Sequence, residues 1–218
     1  MLENVPQQQP ITYLPFHTKE FWDNFYKNRS PYNPNINWYF DITKVNIENF
    51  SLHNFAKEDE ILVLGAGLSS ILDYFDKNDY INITVFDFSE VLVKILNDKY
   101  KKDWAIDCYD ILELNDSDSS DFNYIIDKGC LDCIISDPKH GQENFVKAVN
   151  NLMMLLNENG TLYYFSTSKD RLNLFDLGNK IKCKITEIDM NKGMGTQYKQ
   201  FKPEDNLYYL YTVQKTDY

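Results

Sequence analysis

At 218 residues, with a formal net charge of −11 and a pI near 4.7, the chain has the length of one α/β domain and a surface that repels phosphate backbones. General nucleic-acid binding is therefore disfavoured, and a basic protein is the partner that the charge suits. Hydrophobic residues at 43% suffice for a large core, yet no apolar run approaches the ~20 residues of a membrane span.

Residues 1–17 hold three prolines and three glutamines and read as a flexible lead-in, with 18–218 as a single domain. The lead-in has neither the apolar stretch of a signal peptide nor the arginines of a transit sequence, so a cytoplasmic location is expected, and the single domain is expected to be a monomer. A helix is expected over 18–26, where Thr18 can cap and Phe21 or Trp22 recur with Phe25 and Tyr26 at i, i+4 spacing. Pro31 and Pro34 mark a loop before the cluster Trp38, Tyr39 and Phe40. These rings either pack the helix on a sheet edge or roof a pocket, since Trp and Tyr cover apolar ligands while keeping a polar handle. Residues 47–55 read as helical.

Ile61, Leu62, Val63 and Leu64 form an apolar run suited to a strand buried on both faces. Gly65 and Gly67 then let the backbone turn sharply and approach a ligand with no Cβ in the way. Ser69 and Ser70 can cap the helix that follows. A second strand, 83–87, ends in Asp87, 20 positions after Gly67. Glycine turn, helix and then an acid at that distance is the nucleotide-binding arrangement, in which the acid takes the ribose hydroxyls. Ser70 stands where a dinucleotide fingerprint has its third glycine, which favours an adenosyl ligand with no pyrophosphate to cradle.

A helix begins at Ser89 and Glu90, with Val91, Leu92, Ile95 and Leu96 on its apolar face, and 104–106 is a short third strand. Residues 115–121 are a turn. A fourth strand, 122–126, ends in Asp127, Lys128 and Gly129. A helix over 143–156, a strand over 161–165, a helix over 169–178 and a strand over 182–188 follow. A polar loop, 191–205, then leads to a last strand, 207–213. Alternating strands and helices demand a parallel sheet with helices on both faces, whereas a final pair joined only by a loop is more easily antiparallel. Cys130 and Cys133 have the C-x-x-C spacing, but no second Cys or His pair completes a zinc site, so these thiols, with Cys108 and Cys183, are expected to be reduced and structural. His17, His53 and His140 are scattered, have no metal-ligand spacing and are expected at the surface; no metal is expected.

This pattern resembles the class I methyltransferases that use S-adenosylmethionine, with a Rossmann-like, seven-stranded, mostly parallel sheet, an antiparallel final strand and helices on both faces. More narrowly, Phe21 to Tyr26, Pro31-Tyr32, Trp38-Tyr39, the glycine turn, Asp87-Phe88-Ser89 and above all Asp127-Lys128-Gly129-Cys130-Leu131-Asp132 resemble the lysine methyltransferases of translation elongation factor 1A. The resemblance implies S-adenosylmethionine as cofactor and elongation factor 1A as the basic protein substrate. It further implies that Trp22, Tyr26 and Trp38 wall the methionine side and that Gly65, with Gly67 in the same turn, meets the cofactor through the backbone. Asp87 would hold the ribose, Phe88 would lie against adenine, Asp110 and Ile111 would address the adenine edge, and Lys128 would sit near the amino-acid end.

Transfer to a lysine needs a neutral amine. A lysine of pKa near 10.4 is over 99.9% protonated at pH 7, roughly 4–5 kcal/mol from its reactive form. Asp127 is a candidate base by position only, and the catalytic role stays unassigned. Two other classes fit the same residues less well: a NAD-dependent Rossmann oxidoreductase, opposed by Ser70 and the terminal strand pair, and a catalytically silent methyltransferase-like binding module.

Overall fold

The computed structural model describes residues 14–29, 36–114, 121–175, 181–189 and 207–215. In chain order come α1 (Lys19–Tyr26), a small hairpin of β1 (Asn46–Ile47) and β2 (Phe50–Ser51), β3 (Ile61–Leu64), α2 (Ser70–Lys77), β4 (Ile83–Asp87) and α3 (Glu90–Lys99). Then follow β5 (Ala105–Cys108), β6 (Phe122–Lys128), α4 (Cys130–Ile135), α5 (Gly141–Leu155), β7 (Leu156–Ser166), β8 (Ile181–Asp189) and β9 (Leu207–Lys215).

All four residues of β3 are buried, and they divide by the strand's period of two. Ile61 and Val63 join one core layer with Val85, Ile126 and Phe165, while Leu62 and Leu64 join the other with Ile125, Phe145 and Leu162. A strand covered on both faces has no polar side to show, which is why its sequence does not alternate. The sheet order is β5-β4-β3-β6-β7-β9-β8. β3 pairs in parallel with β4 and with β6, β6 pairs in parallel with β7, and β9 runs antiparallel to both β7 and β8. The seven strands, the parallel body and the reversed last strand agree with the reading of the sequence.

Local signals set the helix starts. Thr18 accepts from the Phe21 N–H at 3.3 Å, Ser69 from Ile71 at 3.4 Å and Ser89 from Leu92 at 3.2 Å. The Ser70 hydroxyl instead donates to Asp41 and, at 3.0 Å, to Asn37, tying the segment before the hairpin to the start of α2.

Three expectations change. Residues 47–55 hold no α-helix: they form half of β1, β2 and a 3₁₀ turn over Leu52–Asn54, capped by Ser51. The apolar positions Phe50 and Phe55 mimic helical spacing, but Phe50 packs edge-on against Tyr163 and Phe165 and Phe55 stacks on Tyr124, so contacts with the sheet decide the backbone. Of the helix expected over 169–178, only a 3₁₀ turn, Leu172–Leu174, is present up to Phe175. The loop expected over 191–205 and most of the turn over 115–121 lie outside the described residues. α4 was not anticipated at all. Among the described residues, no helix is long and apolar enough to cross a membrane.

Candidate functional site

A cavity of about 500 Å³ opens at the carboxyl ends of β3, β4, β5 and β6. The strand order reverses here, with β4 on one side of β3 and β6 on the other, so the loops diverge and leave a crevice. All ten residues singled out from the sequence line it: Trp22, Tyr26, Trp38, Gly65, Gly67, Asp87, Phe88, Asp110, Ile111 and Lys128.

The glycine turn is required by its surroundings. Gly65 and Gly67 have φ of 55° and 57°, in the left-handed region where side chains are strained. A Cβ on Gly65 would lie 2.6 Å from Cβ of Cys130, and one on Gly67 would lie 3.2 Å from the Tyr26 hydroxyl. Trp22 stacks on Tyr26 and meets Trp38 edge-on at 5.2 Å, so α1 and the segment that starts at Ile36 form a single aromatic wall.

Asp87 is 8% exposed, and burial pushes its carboxyl up to about 7 against the opposing N–H groups of Ser89, at 3.0 Å, and Gly67. Its ionised form is one strong acceptor set in an apolar wall. Asp110 caps a 3₁₀ turn, accepting from Leu112 N–H at 2.9 Å, and the carbonyl of Ile111 takes the Asn151 amide at 2.6 Å. Lys128 Nζ donates to the Trp38 carbonyl at 2.6 Å, and burial pulls its ammonium down to about 7 although Asp127 and Asp41 oppose the shift. The site thus joins a carboxyl and an amine that both titrate near neutrality.

Asp127 does not share the cavity. Successive strand residues face opposite ways, and its fully buried carboxylate accepts from the N–H groups of Gly129, at 3.2 Å, and Leu131, at 3.1 Å, which starts α4. Burial pushes that carboxyl well above the usual range. Asp127 is a cap, and its candidacy as a base falls.

Several lining residues escaped sequence reasoning. Asp132 receives the Tyr39 hydroxyl at 2.7 Å, the Tyr164 hydroxyl, the Ser166 hydroxyl at 2.9 Å and the Thr167 N–H at 3.1 Å. Arg171 completes the set, with Nε and Nη2 both 3.2 Å from Oδ1. Tyr39 itself holds a φ of 64°, kept there by the Asp132 bond and by Tyr208, whose hydroxyl donates to the Tyr39 carbonyl at 3.2 Å. The sequence signals for this cluster were Tyr39 in the aromatic run after Pro34 and Asp132 at the end of the Asp127–Asp132 segment. His17 also lines the cavity instead of standing at the surface, and Phe16 beside it accepts from the Trp22 indole at 2.7 Å. The lead-in therefore packs from its last residues, while 1–13 lie outside the described residues. Cys130 and Cys133 face the cavity as free thiols that burial keeps protonated.

Comparison with solved structures decides the fold. A structure described for the conversion of a disulfide bond into a thioacetal group in echinomycin biosynthesis superposes with a TM-score of 0.59 over 92% of each chain, at 15% identity. A TehB-like S-adenosylmethionine-dependent methyltransferase from Corynebacterium glutamicum gives 0.57 over 91% of this chain and 98% of its own, at 14% identity. The chain has the class I methyltransferase fold. With this fold, β9 inserted antiparallel between β7 and β8 separates it from the wholly parallel sheet of a NAD-binding Rossmann domain. No family model matches the sequence. Among curated proteins, the sequence is similar to the mouse (Mus musculus) EEF1A lysine methyltransferase 4, 25% identical over 68% of this chain and 58% of the relative. It is 26% identical to the zebrafish (Danio rerio) EEF1A lysine methyltransferase 2, over 74% of each. The eEF1A lysine and N-terminal methyltransferase of Xenopus laevis is 26% identical over 58% of this chain, but the match spans only 18% of that relative.

Proposed function

We propose that this chain is an S-adenosylmethionine-dependent protein-lysine methyltransferase acting in the cytoplasm on translation elongation factor 1A. One observation carries the reading: at the switch point of a methyltransferase fold, a glycine cradle that a Cβ would fill adjoins the buried carboxyl of Asp87, and Lys128 lies in the same cavity. Relatives with 25–26% identity that are named for elongation factor 1A lysines support the acceptor.

The residues fit the cofactor. Gly65 and Gly67 would let the backbone lie against it, and Asp87 would accept from the ribose diol. Phe88 and Ile111 would bound the adenine ring, and Asp110 would accept from its exocyclic amine. Lys128 would meet the carboxylate, and Trp22, Tyr26 and Trp38 would wall the methionine side. Bound there, the cofactor supplies a methyl group already activated on a sulfonium. The chain's own part is to hold the donor, exclude water with its aromatic wall and align a neutral amine with the methyl carbon. The net charge of −11 favours a basic partner and speeds its encounter.

The test is incubation with labelled S-adenosylmethionine and either purified elongation factor 1A or a eukaryotic lysate. Label on lysine of elongation factor 1A is expected. Label on another lysate protein alone removes that acceptor and keeps the methyltransferase. A thermal shift with NAD and none with S-adenosylmethionine or its demethylated product would reject the enzyme class.

A further inference from the structure

The side chains on the flank toward β7 have no part in holding the cofactor as described above. Across the sheet, Asp110 lies two residues past the end of β5, β4 ends at Asp87, β3 ends at the glycine turn and β6 ends at Lys128. A donor held by these residues as proposed would turn its methionine side toward the end of β6, and β7 is the next strand over. Thr167 and Arg171 stand just past β7, joined to Tyr39 and Asp132 by the hydrogen bonds given above. An acceptor must enter on that flank.

Charge there is balanced. Asp132 is the cavity carboxylate hydrogen-bonded to the end of β7, its side chain only 8% exposed; Arg171, 21% exposed, neutralises it, and the remaining lone pairs are taken by three hydroxyls and a backbone N–H. Asp87 and Asp110 are engaged with backbone N–H groups of their own loops. Asp137, after α4, accepts from Lys139 N–H at 2.8 Å and has His17 and His140 near it. The thiol of Cys133 and the phenols of Tyr39 and Tyr164 are held neutral by burial, and the cation on the β6 side is Lys128. A lone carboxylate beside an incoming amine would hold it as ammonium; a neutralised one, next to aromatic walls, does not.

We infer that the Asp132–Arg171 pair and Tyr39 form the acceptor subsite, built to take a primary amine on an aliphatic side chain in its neutral form and to leave its proton with solvent instead of with a base. The inference rests on the function proposed above. In the transfer, the amine, which has lost one proton to water on entering, forms the N–C bond with its lone pair, the C–S bond breaks with its electrons going to sulfur, and the methylated ammonium leaves with its charge, so one proton is released per methyl. Asp132 and Tyr39 are positioning residues in this account, and Arg171 sets the local charge.

The experiment is calorimetry of the acceptor protein identified by labelling, bound to the full chain loaded with the demethylated product, in two buffers of different ionisation enthalpy at about pH 8. The same acceptor with its target lysine changed to Met is the blank. The wild type is expected to release roughly half a proton or more per target lysine. Arg171→Met, which leaves Asp132 uncompensated, should lose most of that release and raise the apparent pKa of kcat by about one unit or more. Arg171→Lys and the double variant Asp132→Asn with Arg171→Met should retain the release, an outcome that a merely structural role does not produce. No proton release by the wild type, or equal release by Arg171→Met, overturns the inference while methyl transfer stands. If Arg171→Met fails to fold, the wild-type and double-variant proton counts decide alone. Absence of transfer to any protein overturns the function and this subsite with it.

Discussion

Lys128 holds an amine in the cavity wall at the expense of stability, and Lys128→Met exposes the cost. Its ammonium titrates at about 7 in the fold against 10.5 for the ordinary value, because burial disfavours the charge. A shift of that size corresponds to roughly 5 kcal/mol of unfavourable burial at and below neutral pH. Methionine carries no charge to bury, but it leaves the Trp38 carbonyl without the Lys128 donor, a loss of about 1–3 kcal/mol. The variant should therefore be more stable by about 2–4 kcal/mol at pH 7. The folded lysine binds fewer protons than the unfolded one between about pH 7 and 10.5, so wild-type stability rises with pH across that window. The advantage of Lys128→Met should then shrink by about 1.4 kcal/mol per pH unit. Urea denaturation of both proteins, from about pH 6.5 to 9.5, measures the difference directly. A difference that is flat with pH, or a variant less stable throughout, would refute the assignment of Lys128 as a buried, partly discharged amine.

Cofactor affinity should peak near pH 7, because Asp87 must be ionised and Lys128 protonated, and each titrates at about 7. In calorimetry, Asp87→Asn should weaken binding about tenfold or more and remove the acid limb, and Lys128→Met should remove the alkaline limb; two unaltered limbs would reject both roles. Gly65→Ala should destabilise more than Gly67→Ala, since both incur the left-handed strain of about 1–2 kcal/mol but only the first drives a Cβ to 2.6 Å from Cys130. Equal denaturation midpoints would contradict that geometry. Under subsaturating acceptor, kcat/KM should fall steeply as salt shortens the Debye length from about 10 Å at 0.1 M to about 3 Å at 1 M, with little change in the cofactor Kd. A flat kcat/KM would remove electrostatic docking.

Features that depend on neighbours in the chain were legible from sequence alone. The unbroken run Ile61 to Leu64, the glycines after it, the capping serines and the carboxylate ending β4 each leave a mark in a few consecutive residues, whatever distant contacts they later meet. The reversed last strand could also be anticipated, because two strands joined by a loop with no helix are more easily antiparallel than parallel. Tertiary structure alone decided the rest. Whether 47–55 became a helix turned on Phe50 and Phe55 finding Tyr163, Phe165 and Tyr124, rings more than 60 residues away. Asp127 and Asp132 look alike in sequence, yet strand alternation sends one into the cap of α4 and the helix turns the other toward Tyr39, Tyr164 and Arg171. A side chain's charge state follows from what surrounds it in space, and those surroundings come from segments that no local pattern connects.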